Sequence, residues 1–198
     1  MAKLLLVRHA ERPDIPVNTV GNEVLLTNKG KVDTRNFARI ISDPVISIQS
    51  SPIGRCLQTA EIIAEVVGFE REGIVSNRDL GDPGFIISDG AAAWDHWQEK
   101  GHESVNEYLL SGSEQWDGFK DLDHAVKNFD TTIRKHLSVQ SEGMHIWITH
   151  DTVLATYASR ILPSRLKISQ WPQYLDFISV DVNNGDVVYK YVNQGTDG

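Results

Sequence analysis

"LLLVRHAERPDIP", Leu4–Pro16, runs from aliphatic residues straight into charge. Leu4 to Val7 has the character of a strand buried on both faces, as in a parallel sheet covered by helices. Arg8, His9, Glu11, Arg12 and Asp14 follow with hardly an apolar residue between them. A buried strand of an α/β sheet that ends in functional groups has a known use, because ligands bind outside the carboxyl ends of the strands. The reading holds only if strands and helices alternate along the chain, and if other strand ends carry complementary chemistry.

They do alternate. Thr27 caps a predicted helix reaching about Ser42, with Val32, Phe37, Ile40 and Ile41 as a ragged apolar face and Asp43-Pro44 as its end. Val45–Ile48 reads as a second strand. Ser50-Ser51-Pro52 reads as a helix start. Ile53, Leu57, Ala60, Ile63, Ala64 and Val67 then recur at helical spacing until Gly68. Ile74-Val75 is a weak strand. Helices are expected over 119–140 and from Val153, with a strand at Met144–Thr149 between them. Phe177–Val182 and Val187–Val192 flank Asn183-Asn184-Gly185, a hairpin signal.

Residues 81 to 118 differ in composition, with many glycines and Trp94, Trp97 and Trp116. This stretch is expected to be an insertion with one or two short helices outside the core, its residues 83–118 forming a cap. The fold expected is a single domain over residues 1–198. It is an α/β three-layer sandwich with a mostly parallel central sheet, an antiparallel edge hairpin and a small inserted cap.

The chain has 198 residues, with Lys+Arg 19 against Asp+Glu 27 and a net charge of −8. Such an acidic chain argues against general binding of nucleic acid or of anionic membranes. Its sole cysteine, Cys56, permits no intramolecular disulfide. The apolar run after Lys3 is shorter than the ~7–15 residues of a signal-peptide core. No segment nears the ~18 apolar residues of a membrane span. A cytoplasmic location is expected.

Three predicted strand ends deliver Arg8-His9, Ser50-Ser51 with Arg55 one turn on, and His150-Asp151. Arginine forks match phosphate oxygens bidentately. A neutral imidazole is a competent nucleophile toward phosphorus, and nearby cations keep it neutral. A carboxylic acid can protonate a leaving alkoxide. The assembly suits phosphoryl transfer through a phosphohistidine.

These stretches resemble the histidine phosphatase superfamily, which includes phosphoglycerate mutases and histidine acid phosphatases. Arg8-His9-Ala10 resembles its Arg-His-Gly motif, with Ala10 in place of the glycine. "SSPIGRCLQTAEIIA", Ser50–Ala64, resembles the helix carrying its second arginine, here Arg55. "LTNKG", Leu26–Gly30, resembles the segment after its first motif. "ITHD", Ile148–Asp151, resembles its second catalytic histidine. The resemblance implies that His9 is the nucleophile and that Arg8, Arg55 and His150 bind the phosphoryl group. For the general acid it leaves two candidates, Asp151 after the second histidine and Asp82 in Asp79–Pro83, with Asp151 preferred. Arg12 is a further candidate for binding substrate, although it could simply pair with Glu11, Asp14 or another acid.

Other features have plainer readings. Cys56 fits a buried structural thiol. His145 fits a satisfied sheet residue. His96 and His102 lack zinc-type spacing, and the tryptophans fit packing. The expected function is a metal-independent phosphatase, without cofactor, acting on a small phosphorylated substrate or a phosphoprotein. Alternatives are a phosphohistidine-protein phosphatase, a mutase-like phosphotransferase, and a noncatalytic phosphate-binding scaffold. The sequence does not fix the oligomeric state.

Overall fold

A computed structural model describes residues 2–16, 19–139, 143–183 and 186–194. The elements in chain order are β1 (Ala2–Arg8), α1 (Asn28–Arg39), β2 (Val45–Ser50), α2 (Gly54–Val67), β3 (Val75–Ser76), α3 (Gly90–Ser111), α4 (Leu122–Val139), β4 (Gly143–Thr149), α5 (Asp151–Ile161), β5 (Phe177–Asn183) and β6 (Asp186–Val192). The sheet order is β3-β2-β4-β1-β5-β6. β1, β2, β3 and β4 pair in parallel, β5 lies antiparallel to β1, and β6 antiparallel to β5. The expected α/β architecture with a mostly parallel sheet and an antiparallel edge hairpin is therefore present. Asn184 and Gly185 of the hairpin turn, and Gln140 at the expected end of α4, lie outside the described residues.

The alternation of strand side chains splits β1 between two cores. Leu5 and Val7 pack with Phe37, Ala38, Ile63, Ile146 and Ile148 on the α1–α2 side. Leu4 and Leu6 pack with Ile133, Trp147, Leu154 and Tyr157 on the α4–α5 side. This is why the opening run is apolar at every position instead of at every second one.

Three sequence expectations need correction. First, Val32 of α1 and Ile40, which caps its C-terminus, are exposed, at 54% and 68%. The helix instead approaches the chain through Gly30, where a Cβ would lie 2.2 Å from the Glu11 carbonyl oxygen. Second, α2 begins at Gly54, with Ile53 as its cap, and not at Ser51-Pro52. The Ser51 oxygen accepts from Ile53 N–H just ahead of the helix and also meets His150, as described below. Third, the 81–118 stretch is not outside the core. It does hold two short helical halves, the two parts of α3, which meet at the non-helical Gly101 (φ 78, ψ 168), but the second half buries Val105 and Leu109 in the same cluster as Leu4, Leu6 and α5. Trp116 stacks on Tyr108 at 4.0 Å and packs against that cluster. Glycine-rich composition concealed a core element.

Among the described residues, no helix is long and apolar enough to cross a membrane.

Candidate active site

Register brings the strand ends together. Arg8 pairs with Thr149 and Ser50 with Ile148. The chain leaving each strand is then held at the sheet edge, because His9 N–H donates to the Thr149 carbonyl at 2.9 Å and Ser51 N–H to the Ile148 carbonyl at 3.0 Å. The Thr149 hydroxyl donates to the Leu80 carbonyl at 2.6 Å, drawing the 78–84 segment to the same edge.

His9 is almost fully buried. Its Nδ1 lies 2.8 Å from the Ala10 carbonyl oxygen. A carbonyl can only accept, so Nδ1 carries the hydrogen. Nε2 is then bare, and Arg55 Nε donates to it at 3.2 Å. Burial first, and then the charges of His150, Arg8 and Arg55, hold the His9 pKa well below its ordinary value. The ring is therefore neutral at neutral pH, with its lone pair directed at a guanidinium. The turn that orients it is fixed in place: Ala10 N–H donates to the Thr59 hydroxyl at 3.2 Å, and that hydroxyl donates to the Arg55 carbonyl at 2.8 Å.

Arg55 is itself buried. Its Nη1 donates to the Gly21 carbonyl at 2.7 Å, and its Nη2 lies 3.4 Å from His150 Nδ1. The His9 and His150 rings meet edge to face, 5.4 Å between centroids. Burial, and then Arg55, lowers the His150 pKa to about 3. Arg8 donates to the Pro172 carbonyl, and its Nη2 sits 3.2 Å from Asp151 Oδ2. The Nε atoms of Arg8 and Arg12 are buried and have no hydrogen-bond partner among the described residues. Arg12 makes no ion pair among the described residues, contrary to its plain reading; its Nη1 donates to the Pro13 carbonyl. Its charge reaches both Arg55 and His150. The structure thus gathers His9, His150, Arg8, Arg55 and Arg12 around one small volume, a setting for an anion with several oxygens.

The family model described as "Histidine phosphatase superfamily (branch 1)" matches residues 4–193. The chain belongs to that superfamily.

Solved structures share this fold. A phosphoserine phosphatase from Entamoeba histolytica, solved in complex with 3-phosphoglyceric acid, superposes with TM-score 0.69 at 17% identity, covering 98% of each chain. A phosphoglycerate mutase from Bacillus anthracis gives 0.65 at 17% identity, covering 96% of this chain and 92% of the other. A mycobacterial glucosyl-3-phosphoglycerate phosphatase, solved with VO3, gives 0.62 at 12% identity, with 96% and 97% covered. No curated protein sequence gives a significant match.

Asp151 has less freedom than the sequence suggests. Its Oδ2 faces Arg8 and also accepts from Trp171 Nε1 at 3.2 Å, while Oδ1 accepts from Thr152 N–H at 2.9 Å. Burial pushes its carboxyl upward, but Arg8 and these donors outweigh burial and leave its pKa lowered. With both oxygens engaged by donors, the carboxylate holds Arg8 in position. Asp82 differs in exposure. It is 40% exposed, faces Arg78 at 3.4 Å, and sits in the left-handed region at φ 65. The residue before it, Gly81, packs against the His150 edge so closely that a Cβ would fall 2.4 Å from the ring. A non-glycine residue held at positive φ beside a reactive group is strained in the way functional residues often are.

Other plain readings resolve as follows. Cys56 is buried and burial pushes its thiol up to about 12, so it is inert. The Glu11 carboxylate accepts from the Thr27 hydroxyl at 2.7 Å and faces Lys29, not an arginine. His96 shares its Nε2 with the Asp117 carbonyl. Among the described residues, no group of three or more His, Cys, Asp or Glu could hold a metal.

Sequence reasoning missed the 171–176 segment. Tyr174 lies with its ring 4.2 Å from the Arg8 guanidinium carbon and 5.8 Å from the His9 ring. The turn is fixed by buried Asp176, which accepts from Gln173 N–H, Gln194 N–H and the Tyr191 hydroxyl. The usable signal was the position of "WPQYLD" just before β5. A strand antiparallel to β1 must begin where β1 ends, so the residues leading into it border the same sheet edge.

Proposed function

We propose that this histidine phosphatase hydrolyses a phosphomonoester of a small molecule, without a metal ion, through a phosphohistidine on His9. The observation that supports this reading best is the fixed tautomer of His9. Nδ1–H is committed to the Ala10 carbonyl, and the bare Nε2 meets Arg55.

Arg8, Arg12, Arg55 and His150 bind the phosphoryl oxygens and balance their charge. As Arg55 turns its donors to the phosphoryl oxygens, His9 Nε2 is released from it and attacks phosphorus in line. The N–P bond forms as the P–O bond to the leaving group breaks, and the Ala10 carbonyl steadies the developing positive charge on the ring. Asp82, exposed enough to take a proton from solvent, gives it to the departing alkoxide, then takes one from the water that attacks the phosphohistidine. Inorganic phosphate leaves and His9 returns to its neutral form. Asp151 keeps Arg8 aligned throughout.

The test is turnover of p-nitrophenyl phosphate in excess EDTA. Activity that survives EDTA and is lost in His9→Ala supports the reading. Activity retained in His9→Ala, or present only with an added divalent cation, overturns it.

A further inference from the structure

The two ring nitrogens of His150 face different surroundings. Nδ1 lies at the guanidinium that also meets His9, 3.4 Å from Arg55 Nη2. Nε2 lies 3.0 Å from the Ser51 hydroxyl, on the edge packed against Gly81. A guanidinium has only hydrogens to give, so Nδ1 accepts and the ring hydrogen resides on Nε2, donated to Ser51. That arrangement suits the ligand-free protein. It cannot serve a bound phosphate, because a bare Nδ1 lone pair would face anionic oxygens.

We propose that Ser51 is the positioning residue that lets His150 exchange tautomers when a phosphoryl group binds. In the bound state Nδ1 carries the hydrogen and donates it to a phosphoryl oxygen. Nε2 becomes bare and accepts from the Ser51 hydroxyl, which reverses from acceptor to donor. Nδ1 takes its proton from the entering phosphoryl monoanion and the Nε2 proton passes to bulk solvent, so the ring stays neutral and one proton is released for each phosphoryl group bound. This inference rests on the phosphatase reading, and it assigns a task to a side chain that takes no part in the chemistry there.

Three features support it. Ser51 is fully buried, so water does not compete for its hydroxyl. Its oxygen accepts from Ile53 N–H at 3.3 Å, which anchors it while leaving the hydroxyl hydrogen free to turn. A neutral ring is favoured by every cation around it: burial, Arg55, Arg8 and Arg12 all lower the His150 pKa, and only Asp151 opposes them. Cys56 Sγ also lies 3.5 Å from Nε2, and its thiol, pushed up by burial, stays protonated. The hydroxyl is the natural partner for both tautomers because it alone there is at once a good donor and a good acceptor.

The experiment is 15N NMR of histidine-labelled wild-type protein at neutral pH, titrated with inorganic phosphate. The two neutral tautomers and the cation have distinct patterns of ring-nitrogen shifts. We expect His150 to pass from Nε2–H to Nδ1–H as phosphate saturates. Ser51→Ala should bind phosphate about tenfold more weakly, since a buried acceptor loses its donor, and its His150 pattern should not follow the wild type. Phosphate that binds while His150 keeps Nε2–H, or while both nitrogens become protonated, overturns the inference and leaves the phosphatase reading intact. Ser51→Ala with wild-type affinity also overturns it. Failure of the wild type to bind phosphate overturns both.

Discussion

Arg55→Lys keeps the charge and removes the geometry. The Arg55 guanidinium reaches three directions at once: Nε to His9 Nε2 at 3.2 Å, Nη1 to the Gly21 carbonyl at 2.7 Å and Nη2 toward His150 Nδ1 at 3.4 Å. An ammonium on a shorter, flexible stem fills one of these at a time. Arg55 is only 7% exposed, so solvent does not replace what is lost. Losing one arm of a bidentate, charge-assisted contact to the phosphoryl group costs about 2 kcal/mol, or roughly thirtyfold in kcat/KM. The loss should fall on kcat as well as on KM, because the same arm steadies the lone pair of His9. The assay is steady-state hydrolysis of p-nitrophenyl phosphate in EDTA, with a thermal melt to show that the fold persists. A folded variant within about twofold of wild type would refute the fork's role and place the phosphate elsewhere.

Gly81→Ala should disable the site from behind, because the new Cβ would meet the His150 ring at 2.4 Å and Ser51 Oγ at 2.7 Å at a backbone φ of +149. Its kcat/KM should fall at least about tenfold, with about 1–3 kcal/mol of lost stability by urea unfolding; unchanged turnover would contradict the packing described. Asp82→Asn should slow alkyl phosphates far more than p-nitrophenyl phosphate, because only the poor leaving group needs a proton. Asp151→Asn should slow both alike, and the reverse pattern would return the acid role to Asp151. His145, buried on β4 between Ser47 and His136, has its pKa lowered by burial, and then by His136, from 6.5 to about 4. Its contribution is therefore complete above pH 6.5 and is lost as pH falls toward 4, by an amount on the order of 3 kcal/mol. His145→Gln should flatten the loss of urea stability between pH 7 and pH 4.5, and an equally steep loss in that variant would show that other groups cause it.

Much of the architecture was legible because the chain alternates its patterns cleanly. Leu4–Val7, Val45–Ile48 and Met144–Thr149 are strands by composition alone, and Gly68 and the Val153 stripe mark helix boundaries. The strand-end rule then placed Arg8-His9, Arg55 and His150 together before any coordinates. What escaped reading depended on contacts between segments distant in sequence. Ser51 looked like a cap because Ser-Ser-Pro favours one, but tertiary structure gives its hydroxyl to His150. Asp151 looked like a free acid because nothing local shows that Arg8, 143 positions earlier, and Trp171 occupy its oxygens. The core role of α3 was hidden by glycines, one of which divides its two halves. Tyr174 carried no motif. It matters through its place beside β1, which only the sheet order reveals.

The most direct measurement is of the covalent step itself. Wild-type protein mixed with a 32P-labelled phosphomonoester and quenched within one turnover should carry label on the protein. The label should survive a base quench and be lost in acid, as expected for phosphohistidine, map to the peptide containing His9, and be absent from His9→Ala. Turnover by the wild type with no protein-bound label at any quench time, combined with undiminished turnover by His9→Ala, would contradict the account.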